Sequence, residues 1–127
     1  MFSRLSRNTL ARAAFVLFWP AVAVIVWGEM RAPGQNPMIW DKALHFIAYF
    51  GLGGLITVAF KARPASIWGV LAVILLGGVL EIVQGLTGRD MSAWDEVANT
   101  LGAICGGLAG WAFYSFYPRL VERLRRS

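Results

Sequence analysis

The sequence predicts an all-α polytopic membrane protein, a bundle of four transmembrane helices in a single domain over residues 1–127. Hydrophobic residues make up 57% of the chain, charged residues make up 15%, and the mean hydropathy is +0.58. An ordinary soluble domain carries about 25% charged residues. Because small domains bury the smallest share of their surface, a soluble fold of this length could not hide so much apolar area. The apolar surface is therefore expected to face lipid.

Four apolar segments account for the predicted spans, at approximately residues 10–27, 44–60, 67–86 and 97–117. Each approaches the roughly 17–25 residues that a helix needs to cross the hydrocarbon core. The basic residues Arg4, Arg7 and Arg12 at the N-terminus would also suit a signal peptide. No small-x-small cleavage motif follows Trp27, so this segment is expected to stay in the membrane as a helix.

Basic residues predict the orientation of the spans. Nine of the twelve fall at the N-terminus, between the second and third segments, or in the C-terminal tail: Arg4, Arg7, Arg12, Lys61, Arg63, Arg119, Arg123, Arg125 and Arg126. The other three are Arg31, Lys42 and Arg89. Because cytoplasmic loops carry the excess of Lys and Arg, both termini are predicted to be cytoplasmic. Nucleic-acid binding is not expected, since the basic residues sit at the ends of apolar segments and line no single face.

Polar residues lie unexpectedly close to three of the predicted spans. They are Asp41, Lys42, His45 and Tyr49 in the second, Glu81 and Gln84 in the third, and Arg89, Asp95 and Asn99 before or within the fourth. In the predicted topology all of them reach the extracytoplasmic leaflet. Ionisable groups at membrane depth cost about 2.5–3.5 kcal/mol each on insertion scales and usually face the bundle interior or a cavity. We therefore expect one convergent polar cavity.

The residue types in this cavity predict its chemistry. His45 and Glu81 are candidates for general acid or base, with Asp41 or Asp95 orienting the histidine. Arg89 and Lys42 would hold an anion such as a lipid phosphate. The predicted binding set is completed by Tyr49, Gln84 and Asn99. A metal site built from His45 and the carboxylates is only weakly indicated, because there is one histidine and no cluster of cysteines, so neither a metal nor another cofactor is predicted.

The glycines of the fourth segment form a small-xxx-small ladder of Gly102, Gly106 and Gly110. Helices in lipid associate through close backbone contact at small residues. The ladder is therefore interpreted as a packing surface. Matching close-approach surfaces are expected at Gly51, Gly53 and Gly54 of the second segment and at Gly77 and Gly78 of the third. The ladder could also carry a homo-oligomer or a partner helix.

The polar residues together resemble the motif of the VanZ-like family. The matching pattern is Asp41-Lys42-x-x-His45-Phe46-x-x-Tyr49, then Glu81-x-x-Gln84, Arg89 and Asp95-x-x-x-Asn99-x-x-Gly102. The resemblance covers roughly residues 38–110. It implies a small multispanning protein of the bacterial inner membrane. Because the family is named for a protein associated with low-level teicoplanin resistance, it also implies a role in the cell envelope that affects glycopeptide susceptibility.

Two functions are consistent with these observations. In the first, the outer-leaflet cavity binds or chemically alters an envelope lipid or a lipid-linked phosphate. In the second, the chain is a non-catalytic membrane subunit or scaffold, and the polar cluster holds the helices together or docks a partner. Polar groups do join membrane helices in this way, by hydrogen bonds worth about 0.6–2 kcal/mol.

Overall fold

The computed structural model describes residues 6–31, 38–88 and 91–127, and this part of the chain forms four α-helices. They are α1 (Arg7–Met30), α2 (Met38–Ala59), α3 (Ser66–Leu86) and α4 (Ala93–Arg126). The predicted all-α class is confirmed. The first, third and fourth predicted segments lie inside observed helices, and the second extends one residue past α2. Helix α4 continues through Pro118 and is much longer than the segment predicted for it.

Within the described residues, three helical segments are long and apolar enough to cross a membrane: Arg7–Met30, Asp41–Ala59 and Ser66–Leu86. Helix α4 has 34 residues. At 1.5 Å per residue it is about 51 Å long, against a hydrocarbon core of about 30 Å. Its glycines and polar residues lower its hydropathy. Helix α4 is therefore long enough to cross a membrane but is less apolar than the other three helices.

Apolar side chains face outwards on all four helices. Val16 of α1, Ile47 of α2, Leu75 of α3 and Leu108 of α4 are each more than 60% exposed. Polar side chains are buried instead, and Asn99 is fully inaccessible. An apolar exterior of this extent indicates a surface that contacts membrane or other protein rather than water.

Helix α2 is central to the bundle, since it packs most extensively on α4 and also contacts α1 and α3. The glycine ladder of α4 makes this contact close. A Cβ atom added at Gly102, Gly106 or Gly110 would collide with backbone carbonyl oxygens of α2. Those oxygens belong to Phe46, Phe50 and Gly54, in that order. The predicted packing role of the ladder is confirmed, and Gly53 and Gly54 of α2 lie against α4 as expected. The expectation for Gly51 is wrong, because a Cβ atom there would have no neighbour within 4 Å. Because α2 covers the ladder, a second copy or a partner helix could use it only by displacing α2.

The two ends of the bundle differ in character. At one end, Ala11, Ala14, Val58 and Tyr114 form an apolar cluster. There the Arg7 guanidinium donates to the Tyr114 carbonyl oxygen over 3.3 Å and lies 4.3 Å from the centre of the Tyr114 ring. The start of α1 and the later half of α4 therefore share this end. The ends of α1 and α3 and the starts of α2 and α4 lie at the other end, which holds the polar residues.

Candidate functional site

The polar end of the bundle brings together most of the side chains predicted for the site. Helix α2 contributes Asp41, Lys42, His45 and Tyr49, α3 contributes Glu81 and Gln84, and α4 contributes Asp95 and Asn99. These side chains contact one another across helices, in hydrogen bonds and ion pairs described in turn below. Arg89, the remaining predicted residue, lies outside the described residues. We refer to this group as the polar site.

The mouth of the polar site is formed by charged residues near the start of α2. The Lys42 ammonium donates to Oδ1 of Asp95 over 2.8 Å and so joins α2 to α4. The Lys42 side chain is 32% exposed and that of Asp41 is 47% exposed, whereas that of Asp95 is only 13% exposed. Lys42, predicted to hold an anion, is thus paired with a carboxylate here.

His45 is held by a chain of hydrogen bonds that fixes its orientation. Asn99 donates through Nδ2 to Oε2 of Glu96 over 3.3 Å, so its Oδ1 atom is the one that faces His45, at 2.9 Å from Nδ1. An amide oxygen only accepts, and Nδ1 therefore carries a proton. The other ring nitrogen, Nε2, lies 4.0 Å from Oδ2 of Asp41 and 3.9 Å from Oδ2 of Asp95. Asn99 thus orients the ring, and the two aspartates, predicted for that role, face Nε2 beyond hydrogen-bond distance.

The floor of the site lies against α3. The backbone N–H of Ser92 donates to Oε2 of Glu81 over 3.1 Å, and the Gln84 amide donates to the Glu29 carbonyl oxygen over 2.7 Å. Glu81 is buried, and its second oxygen, Oε1, has no hydrogen-bond partner among the residues that the structure describes. Tyr49 is fully buried beside the Glu29 and Glu81 carboxylates. The floor therefore holds a carboxylate oxygen that is available to a ligand or a proton.

Gly77 allows α3 to approach this network. A Cβ atom at Gly77 would lie 2.9 Å from Oε2 of Glu96, 3.0 Å from Nδ2 of Asn99 and 3.0 Å from Cε1 of Tyr49. Real Cβ atoms rarely have polar and aromatic neighbours so close on three sides. The absence of a side chain at this position thus leaves room for the hydrogen bonds that orient His45.

Sequence reasoning missed two members of the site, Glu29 and Glu96. Oε1 of Glu29 lies 3.5 Å from Nδ1 of His45, and Glu96 accepts from both Asn99 and Thr100. The i, i+3 spacing of Glu96 and Asn99 could have indicated Glu96, because such residues share a helix face. Glu29 follows an apolar segment at the end of α1, and its position in the sequence carries no comparable signal.

With these two residues the polar site is acidic. Among the described residues it holds five carboxylates, from Glu29, Asp41, Glu81, Asp95 and Glu96, and one lysine together with His45. A bare anion would meet like charge on most sides, which disfavours it. Asp41, His45 and Asp95 also offer three potential metal ligand atoms within 4.8 Å of one another. The arrangement is suited to proton transfer at Nε2 of His45 or to a cation between these residues.

Comparisons with known proteins add no relative, because no family model, no curated protein and no solved structure matches this chain. The resemblance to the VanZ-like family therefore stays a prediction from the motif.

Proposed function

We propose that the chain is a VanZ-like protein of the bacterial inner membrane that crosses the bilayer four times. Helix α4 is the fourth span, both termini are cytoplasmic, and the polar site lies in the extracytoplasmic leaflet. The distribution of basic residues supports this orientation, since Arg7 and the arginines of the last turns of α4 belong to the end opposite the polar site. Cytoplasmic segments carry such an excess of Lys and Arg. The length of α4 lets its basic tail extend beyond the bilayer.

In this setting the polar site binds the phosphate-bearing headgroup of an envelope lipid or a lipid-linked intermediate. The observation that carries the proposal is the gradient of burial, from half-buried Asp41 and Lys42 at the mouth to buried Glu81 and Asn99 at the floor. Apolar side chains such as Ile47 lie on the exterior of the same helices. A polar site that reaches an apolar exterior matches an amphiphile, whose headgroup binds the polar residues while its chains stay in lipid.

The residues of the site take distinct roles in this proposal. His45 accepts or donates a proton at Nε2, because Asn99 holds its other nitrogen as a donor. Glu81, with its available oxygen, exchanges a second proton at the floor. Lys42 contacts the phosphate, as does Arg89. Tyr49 and Gln84 complete the floor of the site, and Asp41 and Asp95 face Nε2. A ligand that serves cell-wall synthesis would link the protein to glycopeptide susceptibility.

The alternative is a non-catalytic subunit or scaffold, and one observation favours it. Two short polar contacts join helices without involving any ligand: Lys42 with Asp95 between α2 and α4, and Gln84 with the Glu29 carbonyl between α3 and α1. Buried polar contacts of this kind hold membrane helices together. In that case removal of a site residue lowers the amount of protein in the membrane, or the recovery of a bound partner.

The proposed function predicts that His45→Gln and Glu81→Gln lose activity while the protein still accumulates. General acid–base groups contribute about 10²–10⁴-fold to a reaction, so loss of either should abolish complementation. The measurement is lipid analysis of a deletion strain that carries the wild type or one of these variants, with membrane abundance measured in parallel. Glu122→Gln is the matched control, because Glu122 is exposed and pairs only locally, with Arg126.

An accumulating lipid that the wild type and Glu122→Gln remove, but the site variants do not, would identify the ligand class. Variants that restore the wild-type profile would contradict the proposal. Variants that fail because the protein is lost from the membrane would support the scaffold.

The proposed orientation is tested by alkaline phosphatase fusions, since this reporter is active only outside the cytoplasm. A fusion after Gly88, in the turn that follows α3, is expected to be active, and one after Ser127 inactive. A green fluorescent protein fusion after Ser127 should fluoresce and thereby show that the inactive fusion is produced. Phosphatase activity after Ser127 would place the C-terminus outside and remove the basis for an extracytoplasmic site.

A further inference from the structure

The mouth of the polar site presents an unusual arrangement around the imidazole of His45. The Asn99 amide oxygen fixes the proton on Nδ1, and Nε2 of a neutral imidazole then carries a lone pair. This lone pair faces two carboxylate oxygens, Oδ2 of Asp41 at 4.0 Å and Oδ2 of Asp95 at 3.9 Å. Three electron-rich atoms that face one another repel unless a cation lies between them.

The geometry of these three atoms suits a divalent metal. Zinc binds His nitrogen and carboxylate oxygen at about 2.0–2.2 Å, which places neighbouring tetrahedral ligands about 3.4 Å apart. The observed separations exceed this by roughly half an ångström, a distance that side-chain rotation can close. The third separation, between the ligand oxygens of Asp41 and Asp95, is also within 4.8 Å. Ligands to a catalytic zinc commonly number three, with the fourth position open.

The surroundings of His45 resemble the support that metal ligands receive. A metal-bound histidine usually donates its other N–H to an oxygen, which fixes the ring and the tautomer. Here Asn99 accepts that bond and is itself held by Glu96. A separate observation comes from the floor of the same site, where Oε1 of buried Glu81 has no hydrogen-bond partner in the described ranges.

We propose that Asp41, His45 and Asp95 bind a divalent transition-metal cation, with zinc the first to test, and that this cation receives the phosphate of the lipid headgroup. The inference builds on the proposed function and resolves its main difficulty, which is that five carboxylates surround the place where an anion must enter. A cation that carries two positive charges offsets two of them and leaves a coordination position for a phosphate oxygen or water. A proton on Nε2 could offset one charge but could not coordinate the phosphate.

Replacement of Lys42 gives a test in which the affinity for the metal should rise rather than fall. The Lys42 ammonium donates to Oδ1 of Asp95, and the other oxygen of the same carboxylate, Oδ2, is the proposed ligand atom. A metal at the site and this ammonium repel each other, so Lys42→Met should bind the metal more tightly than the wild type. If Lys42 also contacts the phosphate, the same variant should retain the lipid less well.

The experiment titrates the purified full chain with Zn²⁺ in nanodiscs of phosphatidylcholine, a lipid without net charge, and uses calorimetry to measure stoichiometry and affinity. One zinc per chain is expected. His45→Gln and Asp41→Asn should lose at least about 10–100-fold in affinity, the loss that removal of a supporting group alone can cause. Asp41→Asn guards against misfolding, because the Asp41 side chain is 47% exposed. Glu122→Gln, which removes the same charge at the opposite end, should bind zinc like the wild type.

Cobalt provides a second readout, since Co²⁺ at the site should absorb in the visible range and lose this absorption in His45→Gln. No stoichiometric zinc, or equal zinc binding by His45→Gln and the wild type, would overturn the proposal. The metal site and the proposed function can also fail separately. If the wild type binds no zinc but His45→Gln still fails to complement, the metal site is contradicted and the proposed function stands. If the wild type binds zinc but all the site variants complement, the proposed function is contradicted and the metal site stands.

Discussion

Replacement of Gly106 by valine is expected to prevent the association of α2 with α4 and to remove most of the folded protein from the membrane. A Cβ atom at this position overlaps the Phe50 carbonyl carbon and oxygen, which belong to helix backbone and cannot rotate away. Overpacking of a core typically costs about 1–3 kcal/mol, and more where the neighbour is rigid. A protein with a stability of about 5–15 kcal/mol tolerates little of this. Quantitative immunoblots of membranes and thermal unfolding in detergent measure the effect.

Gly51→Val is the matched control, because Gly51 lies on α2 in the same bundle and a Cβ atom there has no neighbour within 4 Å. The two variants make the same change in helix propensity, so any difference between them reports the contact with Phe50. Wild-type abundance and unfolding temperature for Gly106→Val would show that α2 and α4 are not in close backbone contact.

Asn99→Leu should have the largest effect of any single change within the polar site. The substitution introduces an apolar side chain of similar volume, and it deprives Nδ1 of His45 of its amide acceptor and Oε2 of Glu96 of its donor. Asn99 is fully buried, and an unsatisfied buried polar group costs about 1–3 kcal/mol. We expect a loss of that size for each of the two groups, together with loss of complementation. Equilibrium unfolding in mixed micelles measures the loss in the free energy of unfolding.

A double-mutant cycle separates this network from general damage to the bundle. His45→Phe alone leaves the Asn99 amide oxygen without its donor, and the double variant with Asn99→Leu removes both partners. Contacting residues in one hydrogen-bond network couple by about 0.5–3 kcal/mol, so the double variant should be more stable than the sum of the single losses implies. Additive losses would mean that His45 and Asn99 do not share a hydrogen bond.

Much of this bundle could be predicted because long apolar segments make the sequence pattern simple. The apolar segments locate the helices since their length and composition are typical of membrane-spanning helices, as for 67–86 and the observed Ser66–Leu86. The spacing of Asp41, His45 and Tyr49 placed them on one helix face, since residues three or four apart are neighbours. The ladder from Gly102 to Gly110 indicated a close contact, and the structure identifies α2 as the partner.

The remaining features depend on how the helices are rotated against one another, which a single sequence does not specify. Glu29 became a neighbour of His45 only because α1 ends beside the start of α2. Lys42 paired with Asp95 across 53 positions of sequence, so the expected free cation at the mouth is a partner in an ion pair. The helix past Pro118 was not expected either. A proline can continue a membrane helix when its neighbours satisfy the freed backbone groups.

The pairing of α2 with α4 has a consequence for the order in which the protein is made. Helix α2 leaves the ribosome before α3 and α4. In the proposed topology, the backbone that faces the glycine ladder, Lys42 and His45 therefore enter the membrane without the α4 residues that they later contact. Polar groups that lie in lipid without partners carry a free-energy cost, and the insertion of α4 lowers this cost by supplying the partners. The site is therefore assembled late in biogenesis. A nascent chain arrested before α4 would expose Lys42 without Asp95 and His45 without Asn99, the kind of feature by which membrane quality control recognises an unfinished protein.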